Sequence, residues 1–157
     1  MDNNLVFDRY FNLSLKFLSY RPRSEKEVYD YLVKKSKRSE GLTEEVISKI
    51  MARLVELKFI NDLEFTKFWI SNRKKAQRIL KLELNQKGIS KQIVSDAFEE
   101  FDVGKKEQDL IRKLIEKKRK SLSGESPRKA NEKLIAFLIR KGFDYDFIKK
   151  NLNNVEF

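Results

Sequence analysis

The side chains of this chain provide little of the chemistry that enzymes use. The sequence contains no His and no Cys, so it lacks an imidazole base, a thiolate nucleophile and the commonest ligands of zinc. Four neighbouring acids, Asp96, Glu99, Glu100 and Asp102, could serve in acid–base chemistry or hold a metal ion. We interpret them as the solvated face and C-terminal turn of a helix. The sequence therefore predicts a protein that is not an enzyme, with no catalytic residue, no metal site and no cofactor.

Positive charge is the chemistry that the chain does carry. Its 35 Lys+Arg exceed its 24 Asp+Glu, which gives a formal net charge of +11. An excess of this size predicts an anionic partner, which is a nucleic acid, an acidic protein face or an anionic membrane. Several of the basic residues lie at predicted C-terminal ends of helices, where cations oppose the helix dipole, so a purely structural role is the alternative.

The basic residues fall into four groups that have no matching acidic blocks. We predict that these groups bind a partner or DNA, with the arginines leading because a guanidinium binds phosphate or carboxylate through two hydrogen bonds. The groups are Arg21 and Arg23; Lys34, Lys35, Lys37 and Arg38; Arg73, Lys74, Lys75 and Arg78; and Lys117, Lys118, Arg119 and Lys120.

Helices must position these groups, and a repeated pattern predicts where the helices begin. The pattern is a Gly, an apolar residue and then Thr, Ser or Asp, followed by two pairs of residues that are apolar except for Asn151. It occurs three times, starting at Gly41, Gly88 and Gly142. A repeat of roughly 50 residues is typical of one supersecondary unit used several times. The glycine suits the left-handed residue that ends one helix. The Thr, Ser or Asp two residues later is expected to cap the next helix.

The apolar spacing predicts an all-α fold of nine helices. We expect a tandem array of three three-helix units, at residues 1–60, 61–103 and 104–157, which is elongated and curved. Only five Gly and two Pro interrupt the chain, which favours long helices. Within the first unit, Ser24 and Glu27 form a capping-box pattern, and in the third, Ser126 and Pro127 are expected to start a helix.

Three aromatic residues in the middle of the chain could stack on nucleic acid bases. Phe65, Phe68 and Trp69 stand at i, i+3 and i+4, so one helix presents them on one side. We interpret them as core residues, and for Trp69 a half-exposed position at the helix surface is the alternative.

The sequence also predicts where the protein resides. No apolar run approaches the roughly 18 residues of a membrane span, and the opening Met-Asp-Asn-Asn lacks the basic start of a signal peptide. We expect a soluble, cytoplasmic monomer that has no membrane partner.

Three segments, at residues 18–28, 59–65 and 80–89, resemble motifs of the RecX family, the regulators of the bacterial RecA recombinase. Residues 18–28, Leu-Ser-Tyr-Arg-Pro-Arg-Ser-Glu-Lys-Glu-Val, are similar to its opening motif. Residues 59–65, Phe-Ile-Asn-Asp-Leu-Glu-Phe, are similar to its central motif, and residues 80–89, Leu-Lys-Leu-Glu-Leu-Asn-Gln-Lys-Gly-Ile, to a third. The three occur in the family's order and spacing, within a similarity that covers residues 10–150.

The resemblance implies a non-enzymatic array of three-helix units that binds in the groove of the RecA–DNA filament, with single- or double-stranded DNA as a further partner. It implies that the protein modulates RecA, chiefly by hindering filament extension, ATP hydrolysis, strand exchange and coprotease activity, and so acts in DNA repair and the SOS response. The alternative function is a general nucleic-acid-binding helical module that has no role specific to RecA.

Some single residues take their expected roles from the same resemblance. Arg21, Arg23 and Arg73 match basic positions of the motifs, which makes them the first candidates for contact with the filament or DNA. Asp62 matches a structural position and is expected to cap the helix that follows it. Lys58 stands where the family often has glycine, which we interpret as a tolerated local change.

Overall fold

The computed structural model describes residues 2–154. This range contains nine α-helices and no strand, which confirms the all-α fold and the number of helices. The helices are α1 (Asn3–Ser19), α2 (Glu25–Ser36), α3 (Glu44–Glu56), α4 (Asp62–Ser71), α5 (Gln77–Gln86), α6 (Lys91–Glu100), α7 (Val103–Ser121), α8 (Pro127–Arg140) and α9 (Tyr145–Asn153). None of the helices in the described part of the chain is long and apolar enough to cross a membrane.

The helices form two compact bodies. In the described range, the amino-terminal body comprises residues 2–69 and 84–97, and the carboxy-terminal body comprises residues 70–83 and 98–154. Each of the three middle helices, α4, α5 and α6, therefore has residues in both bodies. The three predicted units, with boundaries after residues 60 and 103, stay a prediction.

Each body is built around apolar helix faces with the period of an α-helix. In the amino-terminal body, Leu32 of α2 and Ile50 and Leu54 of α3 are fully buried in one cluster. In the carboxy-terminal body, Ile111 of α7 and Leu138 of α8 are likewise fully buried in a second cluster. Helices of 9 to 19 residues are marginal in isolation, so this packing holds them in place.

Side-chain caps start several helices where the sequence predicts them. The capping box of α2 is confirmed: the Ser24 hydroxyl accepts from the Glu27 backbone N–H at 3.2 Å, and the Glu27 carboxylate accepts from the Ser24 N–H at 3.0 Å. Thr43 and Ser90 cap α3 and α6 by accepting from the N–H three residues on, at 3.3 and 3.2 Å. These bonds satisfy donors that a helix start leaves without an intrahelical acceptor.

The predicted cap of α4 is wrong by one residue. The Asn61 side chain accepts from the N–H groups of Leu63 and Glu64, at 3.0 and 3.2 Å, so Asn61 is the cap. Asp62 is the first residue of α4, and its carboxylate accepts instead from the backbone N–H of Glu25 at 2.8 Å. Because Glu25 is the first residue of α2, Asp62 caps a helix that is distant in sequence, which a local pattern cannot reveal.

Two other predicted caps are N-cap residues as expected but lack the side-chain hydrogen bond of a cap. Ser126 and Asp144 precede α8 and α9 as N-cap residues, but neither side chain accepts a bond from the helix start. Pro127 is the first residue of α8, as expected, because its missing N–H costs nothing there.

The central aromatic residues pack in the core. Phe65 is 1% exposed and Trp69 is 7% exposed, and their ring centroids lie 5.5 Å apart. Burial of these two rings confirms the core interpretation, for Trp69 as well as for Phe65. Phe68 is half-buried.

Three helices end in the same way, on a residue with left-handed backbone. At each end the following N–H bonds the carbonyl five residues back, at 2.9 to 3.2 Å, which is the hydrogen bond of a Schellman motif. The left-handed residues are Lys58 (φ 61°), Gly88 (φ 76°) and Gly142 (φ 94°). The expectation for Gly41 is wrong, because its φ is not positive and α2 already ends at Ser36. Lys58 is the left-handed residue at the end of the next helix, α3.

Lys58→Gly is therefore expected to raise the free energy of unfolding by about 0.5–1 kcal/mol. Left-handed backbone costs a side-chain-bearing residue about 1–2 kcal/mol, of which the greater freedom of unfolded glycine cancels a part. Urea unfolding of the two proteins checks this. As a control, Lys49→Gly in the middle of α3 is expected to destabilise by about 1 kcal/mol. A Lys58→Gly protein that is no more stable than the parent would contradict the assigned strain.

Candidate anion-binding surfaces

The first predicted basic group contains an arginine that is bound to a half-buried carboxylate. The Arg21 guanidinium donates to both carboxylate oxygens of Glu27, at 2.7 and 3.3 Å, and the Lys87 ammonium donates to one of them at 2.8 Å. The Ser24 hydroxyl in turn donates to the Lys87 backbone carbonyl at 2.7 Å. Arg21 and Lys87 therefore fasten the start of α2 to the turn after α5, within the amino-terminal body.

This network changes the acidity of Glu27. Burial alone would raise its pKa, but hydrogen bonds from Arg21, Lys87 and the Ser24 backbone outweigh burial and lower the pKa from 4.5 to about 2. The carboxylate is thus charged throughout the neutral range. Arg21 has a structural role here, and its contact with a partner stays a prediction.

Arg23 belongs to a stack that joins two of the predicted groups. Its guanidinium lies 4.0 Å from the ring centroid of Phe17, and Phe17 stacks on Tyr31 with centroids 4.3 Å apart. The Lys35 ammonium lies 5.4 Å from the Tyr31 centroid, so Arg23 and Lys35 lie at the two ends of one stack. Burial, followed by the charge of Arg21, lowers the pKa of Arg23. Its Nε is buried and has no hydrogen-bond partner within residues 2–154.

The rest of the second group is open to solvent. Lys34, Lys37 and Arg38 are exposed at and just after the last turn of α2. Cations at this end of a helix oppose the dipole, which contributes about 0.3–1 kcal/mol each. A dipole contribution of this kind does not prevent the same side chains from reaching a partner.

The third group lines a cleft in the carboxy-terminal body. We call it the basic cleft; it has a volume of about 340 Å³ and lies between the end of α4, the α4–α5 link and α7. Five cations line it, of which sequence reasoning found three, Arg73, Lys74 and Lys75, and missed two, Lys106 and Lys113. The cleft thus combines two segments that are about 30 residues apart in sequence, which only tertiary packing can bring together.

Carboxylates fix parts of the cleft wall. Glu83 forms an ion pair with Lys75 and lies 3.9 Å from the Arg73 Nε. Glu107, a lining residue, accepts from the backbone N–H and the side-chain amide of Gln77, at 3.1 and 2.8 Å. Since five cations face two lining carboxylates, Glu107 and Asp109, the cleft keeps an excess of positive charge.

A row of lysines continues from the cleft along α7. Its members stand at i, i+7, i+11 and i+14, so they share one face of the helix, opposite the buried Ile111 and Ile115. All of them are exposed. This lysine row consists of Lys106, Lys113, Lys117 and Lys120.

The fourth predicted group is therefore not a single patch. Lys117 and Lys120 belong to the lysine row, whereas Lys118 and Arg119 are half-buried on other sides of α7. The Lys118 ammonium lies 5.0 Å from the ring centroid of Phe137 in α8. The heptad spacing of Lys106, Lys113 and Lys120 is the sequence signal that would have found the row.

Arg78 is separated from the other members of its group. It lines a different cavity of about 410 Å³, with Lys81, Asp144 and Phe147 among its neighbours. The structure therefore places Arg73, Lys74 and Lys75 together and sets Arg78 apart.

The four neighbouring acids lie at the end of α6. Asp96, Glu99 and Glu100 are exposed on its last turns, and Asp102 is exposed with left-handed backbone, φ 48°, where α7 follows. Within residues 2–154, no three acidic side chains are placed so that they could hold a metal ion.

Comparison with known proteins identifies the family. Residues 11–54 match a family model described as the first three-helix domain of RecX, and residues 106–152 match its third three-helix domain. The crystal structure of RecX from Lactobacillus salivarius superposes with a TM-score of 0.79 at 31% identity, covering 94% of this chain and 95% of that one. The chain belongs to the RecX family. This confirms the family that the sequence motifs resemble.

Other RecX proteins agree with this assignment. A second crystal structure, of regulatory protein RecX, has a TM-score of 0.73 and 26% identity, covering 92% of this chain and 73% of that one. Regulatory protein RecX of Oceanobacillus iheyensis is 34% identical over 150 residues, and that of Streptococcus uberis is 35% identical over 143. The matches cover 93% and 88% of this chain, which spans about half the length of these curated relatives, 53% and 52%.

Most of the basic surfaces lie inside the matched RecX domains. The first domain contains Arg21, Arg23 and the basic end of α2, and the third contains the whole lysine row. The link that carries Arg73 to Lys75 lies between the two matched ranges.

Proposed function

We propose that this member of the RecX family binds the filament that RecA recombinase forms on DNA and inhibits it. The observation that carries the proposal is the lysine row, which projects from a RecX domain on the side of α7 opposite its buried face. None of its four members is needed for the apolar core, so their charge can be used in binding.

The dimensions of the row suit a nucleoprotein filament. With a rise of 1.5 Å per residue, Lys106 and Lys120 are separated by about 21 Å along α7. Phosphates of one DNA strand follow each other about every 3.4 Å along the helix axis, so the row extends past roughly six of them. Lysines placed beside phosphates release counterions, which favours binding and makes it depend on salt.

Inhibition would follow from occupation of the filament surface. A basic helical protein in the groove stands where further recombinase subunits or a second DNA must enter, so extension and strand exchange slow. ATP hydrolysis and coprotease activity would fall with them, which gives the protein its role in DNA repair and the SOS response. No step needs a catalytic residue, which agrees with the absence of His and Cys from the sequence.

We predict that the protein, at a stoichiometric amount, lowers ATP hydrolysis by RecA on single-stranded DNA. The double variant Lys117→Glu/Lys120→Glu is expected to need about ten times more protein for the same inhibition, because two contacts become repulsive. Both side chains are exposed, but Lys120→Glu loses the ion pair with Glu116 and places an anion in the last turn of α7, so the melting temperature should fall by only a few degrees. The matched control is Lys91→Glu/Lys129→Glu, two exposed lysines outside the row. An ATPase rate unchanged by the wild-type protein would refute the proposal.

A further inference from the structure

The basic cleft has features that the lysine row lacks. It is concave, with a volume equal to about eleven waters, and its cations come from both the α4–α5 link and α7. Its floor is formed by Ile70, Leu80 and Val103, which are at most 4% exposed. A space of this size is too small for a helix of another protein and large enough for a few linked anionic groups.

Part of the cleft wall is held in place before any ligand arrives. Glu83 is 20% exposed and pairs with Lys75, while its other oxygen lies 3.9 Å from the Arg73 Nε. Two of the charged side chains that line the cleft, Arg73 and Lys75, are thus anchored by Glu83. Anchoring lowers the conformational entropy that these side chains would lose on binding.

Two other cations remain available for a ligand. Lys74 and Lys113 are exposed lining residues from different segments, the α4–α5 link and α7, and within residues 2–154 neither forms an ion pair. An anion between them would be held from two directions. It would also gain from Lys106, whose ammonium lies 5.0 Å from the Phe101 ring centroid.

The charge pattern selects phosphate over carboxylate. Five cations that converge from two segments can surround a tetrahedral group bearing several acceptor oxygens, whereas a carboxylate presents only two oxygens in one plane. The five lining cations outnumber the lining carboxylates Glu107 and Asp109, and the net attraction grows with the charge of the ligand, so a phosphate chain is favoured over a singly charged acid.

We infer that the basic cleft is a phosphate-binding site that takes two or more linked phosphate groups, supplied either by a free nucleotide or by a DNA strand. Lys74 and Lys113 bind the phosphates, and Glu83 positions Arg73 and Lys75 beside them. The cleft shares Lys106 and Lys113 with the lysine row, but this binding does not require the recombinase, so an assay without RecA tests the site separately from the proposed inhibition.

The test uses the full chain without recombinase. Pyrophosphate and ATP are titrated by calorimetry, and a fluorescent thymidine oligonucleotide is titrated by anisotropy at several salt concentrations. Lys74→Glu/Lys113→Glu is expected to weaken binding of the bound probe at least about tenfold. For the oligonucleotide, loss of two phosphate contacts should also reduce the slope of log affinity against log salt by about 1.4.

The matched control is Lys91→Glu/Lys129→Glu, which changes the net charge equally and lies outside the cleft. It should bind within about twofold of the wild type at moderate salt, because distant surface charges are screened. Far-ultraviolet circular dichroism and melting temperature establish that both variants fold.

The titrations with pyrophosphate, ATP and the oligonucleotide distinguish a free nucleotide from a DNA strand as the source of the phosphates. Binding of pyrophosphate and ATP that competes with the oligonucleotide supports a site open to both, and binding of the oligonucleotide alone assigns the site to a DNA strand. Cleft and control variants that bind equally well would overturn the inference. Wild-type protein that binds neither pyrophosphate, ATP nor the oligonucleotide would overturn it as well.

Discussion

Replacement of Glu27 by glutamine is expected to lower the free energy of unfolding by about 3 kcal/mol at pH 7. The Glu27 side chain is 13% exposed and accepts hydrogen bonds from Arg21, Lys87 and the Ser24 N–H. A neutral amide leaves two buried or half-buried cations without their counter-charge, which is the costly way to break such a network.

The same network predicts how stability depends on pH. The pKa of Glu27 is about 2 in the folded protein and 4.5 ordinarily, so folding favours the charged form. The stabilisation is fully present above pH 4.5 and is lost as the pH falls from 4.5 through 2. The difference in stability between wild type and Glu27→Gln should therefore shrink across that range and disappear near its lower end.

Urea unfolding at pH 7 and at several values between 5 and 2 measures this difference. The control is Glu45→Gln, whose carboxylate is 75% exposed and pairs with Lys49 on the surface of α3. Exposed pairs contribute little, so Glu45→Gln should change stability by less than about 0.5 kcal/mol at any pH. A Glu27→Gln difference that stays constant from pH 7 to pH 2 would show that the carboxylate charge is not the stabilising feature.

Gly142→Ala is expected to destabilise the carboxy-terminal body by about 2–5 kcal/mol. Gly142 ends α8 with φ 94°, where a side chain costs about 1–2 kcal/mol. A Cβ there would also stand 2.3 Å from Cγ1 and 2.6 Å from Cδ1 of Ile79. Displacing a packed side chain adds about 1–3 kcal/mol.

Thermal and urea unfolding followed by circular dichroism measure the loss. Gly124→Ala is the matched control, because a Cβ at Gly124 meets nothing within 4 Å, and its stability should stay within about 0.5 kcal/mol of wild type. Equal stability of the two alanine variants would mean that the contact with Ile79 relaxes at no cost.

Local signals in the sequence were sufficient for the helices. Ser24, Thr43 and Ser90 start helices by bonds to residues three positions on, so the residue types alone predict them. Asp62 shows where local signals fail. Its carboxylate accepts a hydrogen bond from the backbone N–H of Glu25, which lies on a helix that only tertiary packing brings close. At Lys58 the residue type gave no sign of the left-handed backbone that accompanies the Schellman hydrogen bond, and only the glycine that the family often has there pointed to it.

The candidate surfaces were predictable only in part. Their composition was evident, because the basic groups are contiguous in sequence. The sequence did not reveal which cations form ion pairs within the fold, because the pairing of Arg21 with Glu27 and of Lys75 with Glu83 depends on tertiary contacts. Lys106 and Lys113 could have been found from their seven-residue spacing, but their meeting with Lys74 across the cleft required the packed fold.

Binding of the lysine row to a recombinase filament is tested most directly by co-sedimentation with preformed RecA filaments on single-stranded DNA. We predict that the wild-type protein pellets with the filaments at low salt and is released as salt rises. Lys117→Glu/Lys120→Glu should stay largely in the supernatant, while Lys91→Glu/Lys129→Glu pellets like wild type. Wild-type protein that fails to pellet with the filaments, or a lysine-row variant that pellets equally well, would contradict binding through this face of α7.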